Sequence, residues 1–271
     1  MKVTISGFSG LKSLIEEASK DLDNKNINEQ KSTFAYNYPL QFMEIRRRFA
    51  NNYGLYDKLD RGRSVLSNVE ELGQYLCSFG NMHETKLLLS FEELFKHVNI
   101  CDSKKITMLD YACGQGLGSI VFLNYIENKF NCSLSFLLKM VLIEPSVVAL
   151  DRAKLLLDRS GELVCVNKNL DELIEDDLKS NSESMKIHVL SNILDMGDKF
   201  FCLQRLSNII LKSQSGINYF VCVSPYNQEK LDCFMNYFKS HAGFEEIISF
   251  NGMVMKGRDW KMTLNIFKVG V

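Results

Sequence analysis

The 271-residue chain is 46% hydrophobic and 24% charged, with a formal net charge of −1. That composition excludes a disordered chain and supports a core large enough to fold without disulfides or structural metal. The near-neutral balance also excludes binding of nucleic acid or membrane through a global field, and leaves only local patches for that purpose.

At the start of the chain, Met1–Lys20 lacks the apolar centre of a secretory leader, since Glu16 and Glu17 follow a Gly/Ser-rich stretch. The polar Asp21–Thr33 segment reads as a loop. From Leu40 to Val98 apolar residues recur at helical spacing, among them Phe42, Ile45, Phe49, Leu87, Phe91, Leu94 and Phe95. Ser90, with Glu93 three residues on, is placed to cap the last of these helices. Residues 1–100 are therefore expected to form a helical extension or cap, and residues 101–271 the main domain.

From residue 105 short apolar runs alternate with amphipathic stretches. Strands are expected at Ile106–Leu109, Leu138–Ile143, Leu163–Val166, Lys186–Leu190 and Ile217–Val223. Helices are expected at Leu117–Phe130, Val147–Asp158, from Asp171, at Phe200–Leu211 and at Gln228–His241. Such alternation argues for a parallel α/β sheet. Two further strands, near Glu246–Phe250 and Trp260–Val269, have no helix between them and read as an antiparallel hairpin on the sheet edge. Leu134–Ile143 is the most apolar stretch, but it contains Lys139 and is too short to span a bilayer. The eight cysteines form no Cys-x-x-Cys pair, so the usual zinc spacing is missing. Several lie inside apolar runs, as in Val164–Val166 and Val221–Val223, and read as buried reduced thiols. A cytoplasmic location is the expectation.

The most informative segment runs from Ile106 to Gly118, ITMLDYACGQGLG. An apolar strand ends in Asp110, a turn carries Ala112, Gly114 and Gly116, and a helix follows. Glycine lets a ligand approach the backbone without a Cβ in the way. A helix N-terminus offers free N–H groups to an anion. An acid at the strand tip suits a cationic amine better than a pyrophosphate. One helix later a second strand ends in Glu144, followed by Pro145 and Ser146; an acid there can accept hydrogen bonds from both ribose hydroxyls of an adenosine. A dinucleotide fingerprint starting at Gly114 would place Ser119 at its third glycine, which argues against a nicotinamide or flavin cofactor.

Over about residues 80–271 these elements resemble the class I S-adenosylmethionine (SAM)-dependent methyltransferases. Their first motif is an acid followed by alternating glycines, and their second an acid ending the next strand. The resemblance implies a Rossmann-like α/β sheet with helices on both faces and a C-terminal antiparallel strand. One departure is Ala112 at the first glycine position, where small residues are tolerated. By this resemblance Asp110 holds the amino end of SAM, Gly114 and Gly116 line its methionine portion, Glu144 binds the ribose, and Pro145 and Ser146 lie against the adenine. Asn169 and Leu170, with Asp171, are candidates beside the adenine amino group. The tip of the fourth strand supplies Ser191, Asn192 and Asp195 near the reactive methyl; Asp195 could instead cap the next helix. Lys86 and His83 share a helix face, with Lys86 toward the SAM carboxylate and His83 toward the acceptor or held structurally. Asp195 or His83 would serve as base where the acceptor must lose a proton. The fourth strand lacks an Asn-Pro-Pro-Tyr signature; Ser224-Pro225-Tyr226-Asn227 ends the fifth strand instead. Trp260 is expected in the core.

Arg46, Arg47, Arg48, Lys58, Arg61 and Arg63 lie near Tyr36, Tyr38, Tyr53 and Tyr56. Cations interleaved with aromatics suit RNA, although a solvated helix face accounts for the same run. The expected activity is methyl transfer to an unidentified acceptor, RNA or a small molecule. The alternatives are a non-catalytic SAM-binding scaffold and a SAM-using aminocarboxypropyl transferase.

Overall fold

In a computed structural model, the structure describes residues 52–98, 105–130, 137–157, 161–180, 184–255 and 259–271. Among the described residues three helices come first: α1 (Tyr53–Lys58), α2 (Val69–Tyr75) and α3 (Asn81–Leu94), with a π-helical turn at Leu76–Gly80 joining the last two. Strands and helices then alternate. β1 (Ile106–Tyr111) leads to α4 (Leu117–Phe130), β2 (Leu137–Ile143) to α5 (Val147–Leu157), and β3 (Glu162–Val166) to the one-turn α6 (Glu175–Leu178). β4 (Met185–Ser191) precedes α7 (Leu203–Ser213), and β5 (Ile217–Ser224) precedes α8 (Gln228–Asn236). β6 (Glu245–Met255) and β7 (Asp259–Gly270) finish the sequence of elements.

The seven described strands form one sheet in the order β3-β2-β1-β4-β5-β7-β6. The first five run parallel, with Leu109 beside both Val141 and His188. β7 pairs antiparallel with both β5 and β6. The expected terminal hairpin is present, but its second strand lies inside the sheet and its first forms the edge.

Side-chain alternation assigns the two faces, because successive strand residues point to opposite sides. Met108, Met140, Ile187, Val221 and Ile266 pack against α3, α4 and α5. Leu109, Val141, Leu190, Phe220 and Phe267 pack against α7 and α8. Each fully buried side chain of this size contributes about 1.5–3 kcal/mol. On the second face Tyr111, His188, Phe220 and Phe267 stack in a row across four strands. His188 is also held by hydrogen-bond contacts with the Tyr111 hydroxyl (2.9 Å) and the Asn218 side chain (3.1 Å).

Three local expectations need correction. Ser90 lies inside α3 and caps nothing; its hydroxyl donates to the Lys86 carbonyl at 2.8 Å. No continuous helix starts at Asp171. Asn169 and Glu172 close a capping box around the 3-10 turn Leu170–Glu172, and Leu173 is extended, so helix resumes only for the single turn of α6. Trp260 is half-buried and lines a cavity instead of the core. Arg46, Arg47 and Arg48, with Tyr36 and Tyr38, lie outside the described residues. Among the described residues, no helix is long and apolar enough to cross a membrane.

Candidate functional site

The glycine turn between β1 and α4 divides its work among three glycines. Gly114 has φ +55°, and a Cβ built there meets no atom within 4 Å, so open space lies beside it. Gly116 has φ +79°, and its Cβ would approach Ala153 and Leu157 at 3.0 Å, so this position sets the contact between the turn and α5. At Gly118 a Cβ would stand 2.9 Å from the Asp110 carboxylate. Ala112 adopts φ 53°, a left-handed conformation that favours glycine and costs an ordinary residue about 1–2 kcal/mol.

Asp110 is buried, and its Oδ2 accepts hydrogen bonds from the Ser119 backbone N–H (3.1 Å) and hydroxyl (2.7 Å). Burial pushes its carboxyl up to about 7; the bonds from Ser119 oppose the shift and the nearby Glu144 charge adds to it. Glu144, at the tip of β2, accepts the Gly114 N–H and the Ser146 N–H, each at 2.9 Å. Burial raises its carboxyl too, against those two bonds. A carboxylate offers about four lone-pair sites, so Glu144 keeps acceptor capacity after binding both amides.

Around these acids the other expected cofactor residues take varied places. Pro145 is half-buried, and its carbonyl accepts the Asn167 amide at 2.9 Å. Asn169 is exposed and serves as the cap of its 3-10 turn, while Leu170 is buried in the second-face core. The N-terminal helices close over the loop. The Ser146 hydroxyl donates to the Leu66 carbonyl at 2.5 Å, and the Gln115 amide donates to the Leu72 carbonyl at 3.0 Å. Leu59, Leu66 and Leu72 pack with Ala149 beneath them.

The tip of β4 gathers the remaining candidates. Asn192 takes the left-handed φ of 57° and donates its amide to the Ser191 hydroxyl at 2.7 Å, while its own Oδ1 is buried without a hydrogen-bond partner. Asp195 lies in the 3-10 turn Leu194–Met196, well before α7, whose N-cap is Cys202. Its carboxyl is raised by burial, opposed by a hydrogen bond with Ser224 and by the charge of Lys86. Asp195 Oδ1 and Lys86 Nζ are both buried and without hydrogen-bond partners among the described residues. Desolvation lowers Lys86 to about 8, with Asp195 pulling the other way. His83 is buried against Phe79 and Tyr75, with ring centroids 6.0 and 5.9 Å away. Burial depresses its imidazole to about 3, helped by Lys86. His83 is thus a neutral ring near pH 7 and a weak base. Tyr75 stands between the two halves of the site: after burial, the charges of Glu144 and Asp195 both push its hydroxyl up.

A cavity of about 1260 Å³ opens beside this cluster. His83, Asn192 and Asp195 line it, with Tyr75 and Gln74 from α2 and Pro225, Tyr226 and Asn227 after β5. Arg61 and Arg63 also face it. Asp110, Ala112, Gly114, Gly116, Glu144, Pro145, Asn169, Leu170, Ser191 and Lys86 are not in its lining. The structure therefore brings His83, Asn192 and Asp195, expected on the acceptor side, together around open space, and leaves the expected cofactor residues, Ser191 and Lys86 included, outside it. Lys199, Phe200, Tyr226 and Trp260 were not legible as site residues, because each lies at a turn or strand end without a spacing pattern.

Two acids end adjacent parallel strands, a glycine turn joins the first to its helix, and an antiparallel strand is inserted beside β5. The fold is a Rossmann-like α/β one, with the C-terminal antiparallel strand that the sequence resemblance implies. No family model matches the chain, and no curated protein matches it either. Among solved structures, the chain is similar to the N-methyltransferase NodS from Bradyrhizobium japonicum WM9 in complex with S-adenosyl-L-homocysteine, at 11% identity over 84% of this chain and 97% of that one, with a TM-score of 0.47. A SAM-dependent methyltransferase from Leishmania major gives 11% identity over 84% and 92%, with a TM-score of 0.47. Precorrin-6y C5,15-methyltransferase from Geobacter metallireducens GS-15 gives 12% over 77% and 92%, with a TM-score of 0.44. At these values the chemistry of the site has to be argued from its own residues.

Proposed function

We propose that the chain is a SAM-dependent methyltransferase whose acceptor enters the cavity at the tips of β4 and β5. One observation carries the reading. Lys86 Nζ, which interacts electrostatically with Asp195, and Asn192 Oδ1 and Asp195 Oδ1 at the β4 tip are buried with no hydrogen-bond partner among the described residues. Buried polar groups are nearly always paired, and leaving one unpaired costs about 1–3 kcal/mol. Such a cluster beside a cavity fits a site built for polar ligands.

The residues also fit the cofactor. Gly114 leaves space next to a carboxylate with spare lone pairs, which suits a ribose held by Glu144. Lys86 would hold the cofactor's carboxylate and Asp110 its amino group. When bound, SAM supplies a methyl carbon activated by a positively charged sulfur. The protein's task is then to hold the acceptor in line, which contributes roughly 7–11 kcal/mol. Asn192 would orient the acceptor atom, and Asp195, with its raised carboxyl, would take a proton where the acceptor must lose one. His83, neutral and stacked on Phe79, would shape the wall of the site. Cys113 and Cys222 are buried free thiols, which fits work in a reducing compartment such as the cytoplasm.

Calorimetry with SAM, and labelled-methyl transfer to RNA, protein and metabolite pools, test the proposal. Micromolar binding that Glu144→Ala abolishes is the expected result. An absence of heat at saturating SAM, or binding of a nicotinamide in its place, overturns it. Methylthioadenosine as the spent product would instead indicate aminocarboxypropyl transfer, and binding without turnover would indicate a scaffold.

A further inference from the structure

We infer that the cavity takes a single-stranded nucleic acid, with one base turned inward beside Asn192 and Asp195; the role of that inserted base rests on the methyltransferase reading above. Pockets for small ligands usually measure about 300–1000 Å³. At about 1260 Å³ this one is larger and open to solvent. Among the described residues, the cations in its lining are Arg61, Arg63 and Lys199, against the single acid Asp195. Arg63 is ion-paired with Asp60 at 2.5 Å, and Asp195 belongs to the buried cluster at the β4 tip. The mouth therefore favours an anion.

Exposed flat rings share the lining with those cations. Tyr53 is 77% exposed, Tyr226 59% and Phe200 47%, and all three line the cavity. Lys199 Nζ stands 5.2 Å from the centroid of the Phe200 ring, and Lys261 Nζ 6.0 Å from that of Tyr226. Grouped exposed rings mark interaction surfaces. Rings that accept stacked bases, interleaved with cations that track phosphates, are what an unpaired strand requires. A small acid would need a single cation and no platform of rings. An acidic peptide would meet the charge but leave the rings without stacking partners. A duplex keeps its bases stacked on one another and cannot offer their faces to the rings.

The test uses the full chain and fluorescently labelled oligonucleotides of about 12 nucleotides, as RNA, as DNA and as a DNA duplex, with anisotropy read at about 50 and 200 mM salt. The expected result is binding of RNA, DNA or both as single strands, weakened by salt and at least about 10-fold tighter than the duplex. Tyr226→Ala and Phe200→Ala should each weaken it by about 10-fold, and Lys199→Glu should weaken it and flatten the salt dependence. Circular dichroism of each variant confirms folding. No binding of either single strand at low salt, or binding indifferent to all three substitutions, overturns the inference. SAM calorimetry on the same samples separates the two readings. SAM binding without strand binding sinks this inference alone, whereas substitution-sensitive strand binding without SAM binding sinks the methyltransferase reading alone.

Discussion

Glu144 accepts the backbone N–H of Gly114 at 2.9 Å, across thirty residues of sequence. The same carboxylate accepts the Ser146 N–H, so one side chain fixes both the glycine turn and the entry to α5. Glu144→Gln keeps the size but leaves a single acceptor oxygen for the two amides. It is expected to lower stability by about 1–3 kcal/mol and to weaken SAM binding. Thermal denaturation and calorimetry on the same samples check the two effects.

Asp110 would give the proposed cofactor site its pH dependence. Its folded value of about 7 lies above the ordinary 3.8 because burial disfavours the charge. If the carboxylate must be ionised to meet the SAM amino group, affinity is full above pH 7 and falls about tenfold per pH unit below it. Asp110→Asn should bind weakly at every pH and flatten the profile. Calorimetry between pH 5.5 and 8.5 reads the slope directly, and a flat profile for the native chain would count against Asp110 as the ligand of that amine.

Gly116 and Gly114 separate stability from binding. Gly116→Ala combines a left-handed backbone with contacts of 3.0 Å to Ala153 and Leu157, and should cost roughly 2–5 kcal/mol. Gly114→Ala meets no neighbour and should cost only about 1–2 kcal/mol from its backbone, yet it should lose the most SAM affinity for its stability cost. Urea unfolding set beside SAM titration ranks them.

Lys86 is a buried ammonium lowered to about 8. The unfolded chain binds its proton more readily between pH 8 and 10.5, so stability rises with pH across that window and the charge is a burden below it. Lys86→Met is expected to match or exceed native stability at pH 7, by roughly 1 kcal/mol or more, and to lose that advantage as pH rises past 8. The same substitution should weaken SAM binding. A variant less stable than the native chain at pH 7 would show that the ammonium is well satisfied.

His83 and His188 are held near 3 and 4 by burial. The unfolded chain takes up their protons from pH 6.5 downward, while the folded chain refuses them until about 3 and 4. The stability linked to them is complete above 6.5 and is lost as pH falls through the window. NMR should show both imidazole rings unchanged from pH 8 to 5. The acid limb of a pH–rate profile should then follow Asp195, and Asp195→Asn should lower kcat by roughly 10²–10⁴ for an acceptor that must lose a proton.

Much of the sheet was legible because period-2 and period-3.6 patterns change cleanly at residue 105, and because Asp110 and Glu144 each end an apolar run. The place of β7 was not, since a hairpin signal says which strands pair and not which of them neighbours the rest. The helix expected from Asp171 failed where a capping box outcompeted helix continuation. Asn192 and Asp195 were expected from their place at a strand tip, and Lys86 and His83 from their helical spacing; Asn192, Asp195 and His83 line the cavity and Lys86 does not. Lys199, Phe200 and Trp260 reach the cavity only through tertiary placement, which no local pattern encodes.

The insertion of β7 between β5 and β6 has a consequence for biosynthesis. β7 is the last of the seven described strands to leave the ribosome, and until it arrives β5 has an open edge and β6 has no lateral partner among the described strands. Nascent chains that pause before residue 259 therefore carry two unpaired borders, the kind of surface that chaperones shield and that aggregation exploits.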